Sequence, residues 1–205
     1  MPMDLTTPAT SSKDLSAFCD TWNTVHLTGE VGAVPASILR LLTLCAAVTD
    51  AHAAVEVGAH AGTTGLALFD GMADDAVLTS VEADPEKLHV AKETLAAAEI
   101  PHARTRLIAA EPIEVLGRLT DGHYDLFVSA DKPADHAAFA EQAARLLRPG
   151  GMALFIDVAD AADLSKREPG QLAVRQFTEN IQADERWLTT LLPLDNGVLL
   201  AVLQD

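Results

Sequence analysis

Ala53-Ala54-Val55-Glu56-Val57-Gly58-Ala59-His60-Ala61-Gly62-Thr63-Thr64 decides the fold. An apolar run that ends on glycine and passes straight into a helical pattern reads as a buried parallel strand, a tight turn and a helix. Such a helix aims free N–H groups at whatever lies in the crevice beyond the strand ends. The next strand-like run, Ala76-Val77-Leu78-Thr79-Ser80-Val81, closes on Glu82. An acidic side chain about 20 residues past the glycines, at the carboxyl end of the second strand, can accept hydrogen bonds from both hydroxyls of a ribose and would repel a ribose 2′-phosphate. The pair therefore predicts a nucleoside-containing cofactor.

The dinucleotide fingerprint carries a second glycine that lets backbone approach a pyrophosphate, and here that position is His60. S-adenosylmethionine has no phosphate and would present a carboxylate, an amine and a sulfonium to the same loop, so it is favoured over NAD.

Outward from this centre the chain alternates. A helix follows from about Thr63; another opens at Asp84-Pro85-Glu86, with Asp84 as cap and Pro85 in the first turn. A strand over Thr105 to Ile108, a helix Pro112 to Leu119, a strand Tyr124 to Ser129, a helix Ala134 to Leu147 and a strand Met152 to Asp157 follow. This predicts a parallel sheet covered on both faces. The rhythm breaks after a helix over Leu172 to Ala183: Leu188 to Leu192 and Val198 to Leu203 flank an Asn196-Gly197 turn and read as an antiparallel hairpin. Before the first strand, residues 1–12 read as flexible and residues 14–50 as a helical lid or interface, with Ile38, Leu41, Leu42 and Cys45 on one helix.

With 205 residues and 49% hydrophobic content the chain suits one domain. Its net charge of −16 argues against nucleic acid, which needs clustered Lys and Arg. Cys19 and Cys45 are too few for a disulfide framework, and no apolar run reaches the roughly 18 residues of a membrane span, so a cytoplasmic protein is expected. The seven histidines show no metal-ligand spacing and read as surface or loop residues, His60 excepted.

The order Glu56-Val57-Gly58, Glu82-Ala83-Asp84-Pro85, Ala130-Asp131-Lys132, Leu147-Arg148-Pro149-Gly150-Gly151, Asp157 and Asp195-Asn196-Gly197 resembles the catechol and caffeoyl-CoA type O-methyltransferases, from about Thr28 to Gln204. The resemblance implies a Rossmann-like class I methyltransferase: an α/β fold with a seven-stranded, mostly parallel sheet, an antiparallel C-terminal hairpin and helices on both faces. It also implies a homodimer acting on a small-molecule hydroxyl such as a phenol, beneath a lid from the amino-terminal segment and residues 159–170. Carried onto this chain, Glu56, Gly58 and Gly62 line the methionine end, Thr64 faces the methionine carboxylate, His60 packs on the cofactor, Glu82 with Ala83 holds the ribose, and Glu111 lies near adenine. Lys132 matches the general base, with Asp131 beside it.

The family holds a divalent cation with the first residue of a D-A-D-K sequence and with a D-N pair after the Gly-Gly strand; here these read Ser129-Ala130-Asp131-Lys132 and Asp157-Val158. Valine offers no side-chain oxygen and serine is a weak neutral ligand, so no metal site is expected and Ser129 joins the cofactor-binding set. Methyl transfer without a metal is the leading expectation; a catalytically silent binder of S-adenosylmethionine or S-adenosylhomocysteine is the alternative.

Overall fold

The computed structural model describes residues 34–158 and 169–205. The segment 1–12 expected to be flexible, the helix expected from Asp14, Cys19 and most of the expected lid over 159–170 lie outside the described residues.

Helix α1 (Ala36–Val48) leads into β1 (Ala53–Val57), α2 (Thr63–Gly71), β2 (Val77–Glu82), α3 (Pro85–Ala97), β3 (Thr105–Ala109), α4 (Pro112–Leu116) and β4 (Tyr124–Ser129). Then come α5 (His136–Leu146), β5 (Leu147–Ile156), α6 (Pro169–Ala183), β6 (Trp187–Leu192) and β7 (Val198–Leu203). The seven strands form one sheet in the order β3-β2-β1-β4-β5-β7-β6. β1 to β5 pair in parallel, and β7 enters antiparallel between β5 and β6. This is the expected mostly parallel sheet ending in a hairpin.

Alternation along each central strand sorts side chains onto two faces. Ala54, Leu126, Val128, Leu154 and Ile156 pack against α1, α2 and α3; Val55, Val57, Phe127, Ala153 and Phe155 pack against α4, α5 and α6. Because both faces are covered, β1 and β4 read as nearly continuous apolar runs, which is why they were legible. The Cys45 thiol lies in the first core, and burial pushes its pKa up to about 11, so it is a poor nucleophile. Among the described residues no helix is long and apolar enough to cross a membrane.

Several boundaries differ from expectation, among them the start of α6, at Pro169 rather than Leu172. The helix after Pro112 stops at Leu116 rather than Leu119. Residues Pro133–Asp135 form a separate 3-10 turn, so α5 starts at His136. β5 begins at Leu147, taking in Arg148-Pro149-Gly150-Gly151, because Leu147 pairs with Tyr124 and a register shift between Tyr124 and Leu126 absorbs the irregular residues.

Candidate functional site

β1 ends at Val57, and Gly58 turns the chain at φ +87° while its N–H donates to the Val81 carbonyl at 3.0 Å. A Cβ there would lie 3.0 Å from the Ala130 carbonyl carbon and the Asp131 nitrogen. The residue is glycine because the backbone leaving β4 passes against it. His60 (φ 39°), Ala61 (φ 54°) and Gly62 (φ 87°) follow in the left-handed region, which costs L side chains of order 1 kcal/mol or more each. The His60 Nε2–H donates to the Ala130 carbonyl, a contact that pins this bend to the β4 exit, while Nδ1 is buried without a partner. Helix α2 then opens on Gly62 with no side chain capping it.

Glu82, 7% exposed, ties the second strand to the same loop. Its Oε2 accepts from the Ala59 N–H at 3.2 Å and its Oε1 from the Asp84 N–H at 3.0 Å. Ala83 follows it, half-buried, at the start of the turn into α3, which Asp84 caps by accepting from the Glu86 and Lys87 N–H groups.

Beneath the bend lies Glu56, 1% exposed. Burial raises its pKa to about 7, the Ser80 and Thr64 hydroxyls beside it pull the other way, and the neighbouring Glu82 charge adds to the rise. Yet Glu56 Oε2, Ser80 Oγ and Thr64 Oγ1 are all buried without a completed hydrogen bond. Unsatisfied buried polar atoms are uncommon in folded proteins, and three of them brought together from β1, β2 and α2 mark a place that a ligand or water completes.

The structure thus brings Glu56, Gly58, His60, Gly62, Thr64 and Glu82 together at the carboxyl edge of the sheet, with Asp131 against Gly58 through its backbone. Lys132 is exposed at the head of the 3-10 turn that follows β4. Glu111 is exposed one residue after Ala110, whose N–H donates to the Glu82 carbonyl at 3.2 Å. Ser129 faces elsewhere: fully buried, it is hydrogen-bonded at 2.9 Å to His136 Nδ1, and His136 Nε2 bonds to the Ile156 carbonyl at 2.8 Å.

His136 is therefore no surface residue, and the expectation for it is corrected. It is fully buried on α5, with its ring 5.4 Å from Phe155 and 5.5 Å from Phe177. Burial pulls its pKa down to about 4, only partly opposed by the Ile156 carbonyl and the Asp135 and Asp131 charges. Its spacing with Phe139, Ala140 and Ala143 is the signal that could have placed it on the core face of a helix. Ser80 was also missed; only the β1–β2 register, which sets it opposite Glu56, reveals it.

A divalent cation does not fit the three positions the family would use. The Ser129 hydroxyl is engaged by His136, and Val158 is fully buried in the core, its N–H donating to the Gly197 carbonyl at 3.1 Å. Asp157 alone offers a carboxylate there, whereas a hard cation needs several oxygens. Among the described residues no three His, Cys, Asp or Glu side chains gather as a metal cage.

Comparison with known proteins bears on this arrangement. The profile of a family described as O-methyltransferase matches residues 10–203. A protein of Mycolicibacterium paratuberculosis that carries the provisional name O-methyltransferase is 42% identical over 175 residues, covering 83% of this chain and 78% of its own length. A crystal structure of a Corynebacterium glutamicum protein superposes with a TM-score of 0.84 at 24% identity, over 98% of this chain and 93% of that one. The O-methyltransferase of Bacillus cereus, crystallised in complex with S-adenosylhomocysteine (SAH), superposes with a TM-score of 0.81 at 20% identity, over 98% of this chain and 94% of that one.

Proposed function

The chain belongs to the O-methyltransferase family, and from that premise we propose that it transfers a methyl group from S-adenosylmethionine to a hydroxyl of a small, phenol-like molecule without help from a divalent cation. The observation that carries the reading is Glu82: a nearly buried carboxylate at the end of β2, held by the Ala59 N–H of the glycine bend, with acceptor capacity left for two ribose hydroxyls.

The residues present fit the cofactor. The uncapped start of α2 and Thr64 suit its carboxylate, and the unsatisfied Glu56 oxygen beneath the bend suits its positive end. His60 stands where an aromatic ring would pack on it, and Ala83 and Glu111 flank the nucleoside side. When bound, the cofactor supplies an electrophilic methyl group on a positively charged sulfur. The chain's own work is to orient the acceptor and receive its proton. In this reading Lys132 receives the proton, beside Asp131, whose backbone passes against Gly58. Rate then rests on proximity and alignment. A single domain, a homodimer and a cytoplasmic setting complete the proposal.

Calorimetric titration tests the binding half: SAH should bind and NAD should leave the protein silent. A panel of phenols with labelled methyl donor tests the transfer, which should survive a chelator and fall by two orders of magnitude or more in Lys132→Ala, about the span of general-base catalysis. NAD binding in place of SAH overturns the cofactor; abolition by chelator with rescue by Mg²⁺ overturns the metal-free step.

A further inference from the structure

The two strand ends that the family joins through a cation are joined here by another device. Ser129 is the last residue of β4 and Ile156 the last of β5; the parallel ladder between these strands closes with Ser129 opposite Phe155. His136 lies between them. A carbonyl can only accept, so Nε2 must carry the proton it shares with Ile156; in the neutral ring that full burial between Phe155 and Phe177 favours, Nδ1 keeps a lone pair and the Ser129 hydroxyl donates to it. All three groups are fixed: Ser129 and His136 are fully buried, and Phe155 from β5 and Phe177 from α6 hold the ring from its sides.

We infer that His136, as the neutral Nε2–H imidazole bridging Ser129 and the Ile156 carbonyl, is a positioning residue that ties the carboxyl ends of β4 and β5 together in place of a divalent cation. What it positions is the pair of exits from those strands. Ala130, Asp131 and Lys132 leave from Ser129; Asp157, at φ 65°, leaves from Ile156. The Ala130 carbonyl also receives His60, so the tie reaches the glycine bend through one backbone segment. A cation draws strand ends together by charge and needs carboxylates to do it. An imidazole does so with one donor and one acceptor and needs burial, which α5 and α6 supply.

The tie itself stands on the geometry; only the meaning of what it positions rests on the function proposed above. Nitrogen-resolved NMR of the full chain with SAH bound reads it directly. The expected result is a neutral His136 protonated at Nε2 at neutral pH, with Mn²⁺ causing no paramagnetic broadening of the Ala130, Asp131, Lys132 or Asp157 amides. His136→Phe keeps the ring packing and removes both hydrogen bonds; it should shift the Asp131, Lys132 and Asp157 amides and leave those of Glu82 and Ala83 in place. Should that variant not fold, Ser129→Ala removes one bond and should shift the Asp131 and Lys132 amides alone. A proton on Nδ1, a charged ring, broadening by Mn²⁺ at these residues, or unmoved amides in the variants overturns the inference. Failure of SAH to bind with the tautomer as expected strikes the proposed function instead.

Discussion

The same strands end in two different kinds of structure. At their amino edge, Asp125 at the start of β4 accepts from the His52 and Ala53 N–H groups at 2.8 and 2.9 Å and from Arg148 Nε at 2.6 Å, and Arg148 Nη2 reaches the Thr49 carbonyl at 3.1 Å. One bracket thus joins α1, β1, β4 and β5, and every group in it has a partner. At the carboxyl edge, three successive residues sit in the left-handed region, and Glu56, Thr64, Ser80 and one nitrogen of His60 hold buried polar atoms with none. The amino edge is fully paired; the carboxyl edge carries the strain and unpaired polarity from which the binding site is proposed. Strain and unsatisfied polarity concentrate where a fold does chemistry and are held there by stability supplied elsewhere.

Gly58→Val tests the comparison most severely. Its Cβ would strike the Ala130 and Asp131 backbone at 3.0 Å in a conformation that β-branched residues avoid, and neither backbone can yield without moving the site. SAH binding should fall by at least about 1000-fold, roughly 4 kcal/mol, in calorimetric titration. Retained affinity would show that the bend is not the binding element.

Asp125→Ala is the counterpart at the opposite edge. It strands two backbone N–H groups, while Arg148, whose side chain is 43% exposed, recovers water, so the cost should be about 2–3 kcal/mol of unfolding free energy with SAH affinity unaltered. Burial alone would raise the Asp125 pKa, but the Ala53 N–H, Arg148 and the His52 N–H outweigh it and hold the carboxyl below its ordinary range. Its contribution is therefore complete above about pH 4 and lost as pH falls through the lowered value. Urea melts of both proteins should show the gap closing in acid.

How much of this was legible follows the same division. The strand pattern, the Asp84-Pro85 helix start and the Glu82 placement could be read because each depends on neighbours within one element. The start of β5 could not, since Pro149-Gly150-Gly151 carries turn chemistry and only pairing with β4 makes it a strand. Ser129 was read by its place in a motif, but its partner is seven residues on, on a helix, and its direction depends on that contact. The group formed by Glu56, Ser80 and Thr64 needs three elements at once. Sequence periodicity assigns faces; it does not say which polar atoms will meet.

Glu56 gives the subtlest way to sharpen the contrast. Its pKa, near 4.5 in an unfolded chain, is pushed up to about 7 chiefly by burial. A raised folded value means that the folded protein holds a proton the unfolded chain has released, so stability is greatest below about pH 4.5 and declines as pH rises through about 7, levelling beyond it. Glu56→Gln removes that decline. The empty protein should gain roughly 1–2 kcal/mol above pH 7, less than the full proton linkage because the amide must also be buried beside unsatisfied hydroxyls, and should gain nothing in mild acid. The same substitution should weaken SAH, since the carboxylate proposed to face the amine that SAH shares with S-adenosylmethionine is gone. Denaturant melts across pH together with titration of SAH read both effects on one variant. A site residue that costs the empty fold stability and returns it as affinity shows both; a residue that is merely buried would show the stability gain with SAH affinity unmoved.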